Sequence, residues 1–298
     1  MMIFIKKYFI SIICVIFLLG YGAYGVYQIY ILEKNQVEGM DYLLEQCIER
    51  NNGDKSKCNN GINIYKEKDD THTIFSTVFK ADTVLTNSCF IIPVIFIIFS
   101  IYPIYTEFKT RNIKYSLMRK KYNKFLFEKY KTVLFSALVV PLFCIFVFFL
   151  CYCITGTMDL NRTLERFPDI MTIDANLRTN LVKYYLFYGM NLYLLFVFVG
   201  NLGLFFIKKC YNFAVLLISS MISYILIDFI LEIVISRIIF GRIFDIDLKH
   251  TLNLLNYFSY GEVVSLELMF IVVLLLSIGM TIINYFNYKD KEVLFIEE

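Results

Sequence analysis

Histidine is scarce in this chain. The 298 residues hold two, His72 and His250, and neither lies near Cys151 and Cys153. That close cysteine pair therefore lacks the nitrogen ligands of common zinc sites and is weak as a metal centre. None of the 13 glycines opens a GxxxxGK[ST] phosphate loop, and the chain contains no GxSxG and no HExxH. These absences exclude the nucleotide-hydrolysing, serine-hydrolase and zinc-protease chemistries that such motifs carry. The sequence predicts no catalytic, cofactor-binding or metal-binding residues. Tryptophan is missing too, so any aromatic belt at a membrane interface falls to the 23 tyrosines and 30 phenylalanines.

Long charge-free runs are what the chain has in abundance. Hydrophobic residues make up 58% of it and its mean hydropathy is +0.61, well above a soluble domain of this length. Uncharged stretches cover residues 8–32, 83–106, 132–158, 184–207, 210–227 and 268–288. Nearly all exceed the roughly 18–20 residues a helix needs to cross about 30 Å of hydrocarbon. A bilayer offers no water to backbone N–H and C=O groups, and no ten-residue alternating pattern of a barrel is present. The expectation is an all-α polytopic membrane protein with six transmembrane helices, residues 1–298 forming one six-span domain. The first run is too long for a secretory signal and lacks a small-residue cleavage site after it, so it counts as a span.

Six spans place both termini on one side, and the two sets of connections differ in charge. Residues 1–7, 106–131, 208–209 and 287–298 hold 15 Lys/Arg against 6 Asp/Glu, and the rest of the chain 14 against 20. Short basic connections stay cytoplasmic. This predicts a multi-pass protein of the plasma membrane with cytoplasmic termini, a cytoplasmic loop at 106–131, an extracellular loop at 33–88, and an extracellular stretch at 236–266 before the last span. No nucleic-acid partner is expected.

In the outer loop Cys47 and Cys58 stand eleven positions apart and are a candidate disulfide, with two free thiols as the equal alternative. The other six cysteines fall within or at the edges of spans, where core packing is the default. Asp228 and Glu232, one helical turn apart, share a face. Asp228 lies about 28 Å along a helix entering at Lys209, near the outer surface. The pair reads as interfacial, facing water or Arg237, or else as charges lining a transport pathway. Gly20, Gly22 and Gly25 in the first span read as a close-packing surface.

The segment "EFKTRNIKYSLMRKKYNKFLFEKYK" (residues 107–131) is dense in basic residues. Tyr115, Met118, Tyr122 and Phe125 recur at three- and four-residue spacing, with Lys114, Lys121 and Lys124 off that stripe. The pattern predicts an amphipathic cytoplasmic helix, whose lysines could equally bind anionic headgroups at about 1 kcal/mol each.

The order of these features resembles the permease subunits of ABC-2 type exporters. In that family a glutamate shortly after the second span opens a coupling helix, a polar-basic link follows, and a lysine precedes the third span. Here "YTEFKTRNIKYSLMRKK" supplies Glu107, and "FEKYKTVLF" supplies Lys129. The tight basic turn "KKCYN", the stretch "LNLLNYFSYGE" before the last span and the tail "NYKDKEV" are similar to the family plan. Where the family has a glycine after the glutamate, this chain has Arg111 and Asn112. Only "MMIFIKK" precedes the first span, and the first outer loop is long, as in members that handle peptides, antibiotics or ions.

The resemblance implies a permease subunit that moves a hydrophobic or amphipathic substrate outward, using ATP-Mg bound in a separate ABC ATPase. It also implies a homodimer or a heterodimer with a second permease. ATPase coupling would fall to Glu107, Phe108, Arg111, Ile113, Tyr115 and Met118. Two other readings stand beside it, a receptor or scaffold that binds a ligand with its outer loop and a gradient-driven carrier using Asp228 and Glu232.

Overall fold

The computed structural model describes residues 2–50, 71–79, 87–109, 122–158, 181–244, 248, 252–258 and 265–288. Most of these residues are helical, and no strand occurs among them. The order is α1 (Met2–Arg50), α2 (Thr71–Val78), α3 (Ser88–Lys109), α4 (Tyr122–Ala137), α5 (Val139–Thr155), α6 (Leu181–Ile207) and α7 (Phe213–Phe229). The last continues as a π-helix over Ile230–Ile243, and a 3-10 turn (Leu254–Phe258) precedes α8 (Leu266–Asn287). Among the described residues, six stretches are long and apolar enough to cross a membrane: Phe9–Leu32, Ser88–Lys109, Tyr122–Thr155, Leu181–Ile207, Phe213–Arg242 and Leu266–Asn287.

The helix ends follow local chemistry. Pro141 has no N–H for the Ala137 carbonyl, and the third span breaks at Leu138 into α4 and α5. Gly156 closes α5 in the left-handed region, at φ 68°, and its N–H bonds to the Tyr152 carbonyl. Asn212 caps α7 by accepting from the Ala214 N–H, and Ser265 caps α8 by accepting from that of Leu268.

Packing is organised around α6. In its most apolar window 72% of residues are buried, against 22–50% for the other spans. Helix α8 lies along it and is held by amides: Asn201 Nδ2 donates to Thr281 Oγ1 (3.0 Å), Asn284 Nδ2 to the Asn201 carbonyl (2.7 Å) and Asn191 Nδ2 to the Leu266 carbonyl (3.2 Å). Lipid gives apolar faces little reason to prefer each other, so such bonds and close backbone approach set the pairing. Two glycines supply the approach. A Cβ on Gly200 would sit 2.5 Å from Val133 of α4, and one on Gly203 2.7 Å from Ile101 of α3. Gly22 of α1 does the same against Phe143 of α5 (2.8 Å), as expected for that stretch, whereas Gly20 faces open space.

Three boundaries differ from the sequence expectation. Helix α1 runs on from Leu32 to Arg50, about 27 Å further at 1.5 Å per residue, so the first part of the expected outer loop is helix. That segment is free of proline and carries a Lys34–Glu38 pair one turn apart (3.8 Å). The third span begins at Tyr122, inside the expected basic loop, and the fifth runs to Arg242, inside the stretch expected outside from residue 236. The reason is common to all three: charges mark where hydrocarbon ends, and a helix does not have to end there.

At the end of the bundle away from the basic connections, two non-spanning segments are buried among the spans. Helix α2 is fixed by Thr71 Oγ1, 2.7 Å from Thr155 Oγ1, and by His72 Nδ1, 2.6 Å from the Tyr185 hydroxyl. Its Phe75 ring packs against Phe148, Tyr185 and Tyr188. The 3-10 turn meets it where Phe258 touches Phe79, with Phe196 of α6 beneath.

Candidate functional site

The ends of five helices nearest the basic connections converge on one tyrosine-rich collar. Lys129 of α4 donates to Glu107 of α3 at 2.6 Å, with the two side chains only 12% and 18% exposed. Phe108 follows Glu107 and packs against Phe125 of α4 (centroids 5.7 Å apart) and Tyr288 just past α8 (5.8 Å). Tyr122 donates to the Tyr288 carbonyl at 2.6 Å, and the Tyr288 hydroxyl donates to the Leu204 carbonyl of α6, also at 2.6 Å. Lys208 closes the ring, bonding to the Asn287 carbonyl at 2.5 Å with its ammonium 4.5 Å from the centre of the Tyr288 ring. On the far side of α3, the Tyr105 hydroxyl donates to the Tyr211 carbonyl in the turn before α7.

Burial, with Tyr130 and Tyr122 beside it, pushes the Tyr288 hydroxyl well above its ordinary ionisation range, so it stays a donor at any physiological pH. A nearly buried ion pair needs extra hydrogen bonds and tight walls to hold its geometry. Here Phe125 provides one wall, with the Lys129 ammonium 4.6 Å from its ring centre. The arrangement couples mechanically: α3 and α4, the two ends of the basic connection, are fastened to each other and through Tyr288 to α6 and α8.

Of the six residues singled out for coupling, Glu107 and Phe108 belong to this collar. Arg111, Ile113, Tyr115 and Met118 lie outside the described residues. Two members of the apolar stripe, Tyr122 and Phe125, are described, and both are buried, at 4% and 1% exposed, whereas Lys124 is exposed. The sequence reading named Tyr122, Phe125 and Lys129. It did not reach Tyr288, Lys208 or Tyr105, whose partners are backbone carbonyls and ring faces that leave no mark in the sequence.

Asp228 stands differently from expectation. It lies inside the continuous helix of the fifth span, 5% exposed, and its Oδ1 accepts from the Leu254 N–H at 2.6 Å. It therefore caps the 3-10 turn rather than facing water. Glu232 accepts from Arg237 (2.6 Å), the partner expected for it, and from Asn253 Nδ2 (2.9 Å). Both carboxylates hold the same buried turn.

Cys47, on the extension of α1, is disulfide-bonded, while Cys58 lies outside the described residues. The other six cysteines form no disulfide; Cys14, Cys144, Cys151 and Cys210 are buried, Cys89 is partly buried and Cys153 is exposed. Among the described residues, no three His, Cys, Asp or Glu side chains gather as a metal site.

Comparison with protein-family models, with curated proteins and with solved structures gave no match.

Proposed function

We propose that this chain is the membrane-spanning subunit of an ATP-driven exporter similar to the ABC-2 permeases, with the collar as the place where a separate ABC ATPase acts on the spans. The observation that carries this reading is the Glu107–Lys129 pair. The two residues picked out by the resemblance, 22 positions apart, meet at 2.6 Å and anchor both ends of the basic connection. A force applied to that connection is delivered at once to α3 and α4, and through Phe108, Tyr122 and Tyr288 to α6 and α8. A protein with only a lipid-surface helix at this point needs no such linkage.

In this reading the basic end is cytoplasmic, the protein is multi-pass in the plasma membrane, and both termini are inside. ATP-Mg binds in the partner ATPase, and this chain is a transport subunit without its own catalytic residues. The pathway is completed by a second permease, identical or related. The substrate class is hydrophobic or amphipathic, such as a peptide or an antibiotic, and it is moved outward. Asp228 and Glu232 are spent on holding the turn at 254–258, which leaves a gradient-driven carrier without its candidate charges.

The test is affinity purification from native membranes, with the bound proteins identified by mass spectrometry. The wild-type chain should retain an ATPase that carries a phosphate loop. Ile113→Asp with Met118→Asp should lose it while still inserting in the membrane, and charge reversal at Lys121 and Lys124 should have the smaller effect. Greater sensitivity to the two lysines than to Ile113 and Met118 would point instead to a helix lying on anionic lipid.

A further inference from the structure

At the end of the bundle away from the collar, the π-helix, α8 and, between them, Leu248 and Leu252 line an open groove of about 330 Å³ whose nine described lining side chains are all apolar. Leu231, Ile235 and Phe240 form one wall, Val272 and Leu276 of α8 the second, and Leu252 the third. A π-helix 14 residues long is unusual, since i→i+5 turns mostly occur singly and often at functional sites. Leu231, Ile235 and Phe240 recur at the wide spacing of that helix and so stay on one side of it. We infer that the groove is a seat for the acyl chain of a phospholipid from the adjoining leaflet.

The argument rests on direction, depth and chemistry. Along α8 the lining runs from Leu268 to Leu276, about 12 Å at 1.5 Å per residue and parallel to the helix axis. It begins two residues inside the start of the span, beside the half-exposed Lys183–Glu267 ion pair (2.5 Å) that marks a polar level. An acyl chain of one leaflet descends from that level along the membrane normal through about half of the ~30 Å hydrocarbon thickness. The volume falls at the lower end of the roughly 300–1,000 Å³ of small-ligand sites. No polar group in the lining asks for a hydrogen bond, which suits a hydrocarbon tail and disfavours a peptide backbone. Bulk lipid is as apolar as the groove, so preference for the site comes from shape: a concave wall on three sides instead of a single helix face. This holds whether or not the chain works with an ATPase.

The experiment uses the full-length protein in nanodiscs of phosphatidylcholine and phosphatidylglycerol, with a trace of phosphatidylcholine bearing a photoactivatable diazirine on one acyl chain. Adducts are mapped by peptide mass spectrometry. Leu231 is only 8% exposed, whereas Leu142 and Ile145 on the open face of α5 are 62% and 63% exposed. A seated chain should label Leu231, Ile235 and Leu276 severalfold above Leu142 and Ile145, and Val272→Trp, which fills the groove, should remove that excess without changing labelling on α5. Labelling that follows exposure alone, with Leu231 silent, would mean ordinary annular contact and overturn the proposal. So would an unlabelled groove together with a cross-linked dimer, which would make a second copy the occupant. The wild-type map decides even if the tryptophan variant does not fold.

Discussion

Glu107 and Lys129 form an ion pair of the kind whose disruption costs more than its presence gains, because losing the 2.6 Å contact leaves a nearly buried charge less well compensated. Glu107→Lys or Lys129→Glu alone should lower stability by about 2–4 kcal/mol, between the exposed and fully buried limits, read as the thermal unfolding midpoint in detergent. Exchanging the two, Glu107→Lys with Lys129→Glu, should recover most of the loss. If the exchanged protein stays as unstable as the single variants, the pair is not what holds α3 to α4. Asp228 allows an equally sharp distinction. Its role is to accept the Leu254 N–H, so Asp228→Asn, which keeps an acceptor oxygen, should leave the turn at 254–258 as protected from hydrogen exchange as in the parent. Asp228→Ala orphans a buried donor and should cost about 1–3 kcal/mol locally. Equal damage from both would show that the charge, and not the acceptor, is what the site needs.

Helix α6 is held by contacts that tolerate no added methyl. Gly200→Ala places a carbon 2.5 Å from Val133 and should destabilise by roughly 1–3 kcal/mol. Gly20→Ala in α1 meets nothing within 4 Å and should be neutral or slightly stabilising. The two unfolding midpoints, compared side by side, check this; equal effects would contradict the close approach of α4 to α6. The six spans were legible in the sequence because hydropathy reports the bilayer directly. Tyr122 and Phe125 stood out by apolar spacing, as the stripe of an amphipathic helix, and Glu107, Phe108 and Lys129 through the resemblance; that they meet at the ends of two spans is visible only in the fold. What was not legible involves contacts between distant elements: the descent of Thr71–Val78 into the bundle, the bonds from Tyr288 and Lys208 to carbonyls of other helices, and the use of Asp228 as a cap. The polar look of residues 33–88 suggested a loop, yet helix propensity carries α1 on to Arg50, and burial of Phe75 and Phe79 draws α2 inward.

The whole molecule is a bundle whose two ends are built differently. One end is a collar of tyrosines and lysines tying helix ends together, and at the other α2 and the turn at 254–258 pack between the spans and meet at Phe79 and Phe258. The proposed sidedness rests on the charge asymmetry between the two sets of connections. In a background without Cys47 and Cys58, a cysteine at Lys66 should react with an impermeant thiol reagent on intact cells, and one at Lys121 should react only after permeabilisation; the reverse pattern would invert the topology. We propose that an ATPase works on the spans through the connection beginning at Glu107. This is tested most directly by placing a photo-crosslinking amino acid at Met118 in the native membrane and identifying what it captures. The account predicts a covalent adduct with a separate ATPase subunit, and capture of lipid alone would contradict it.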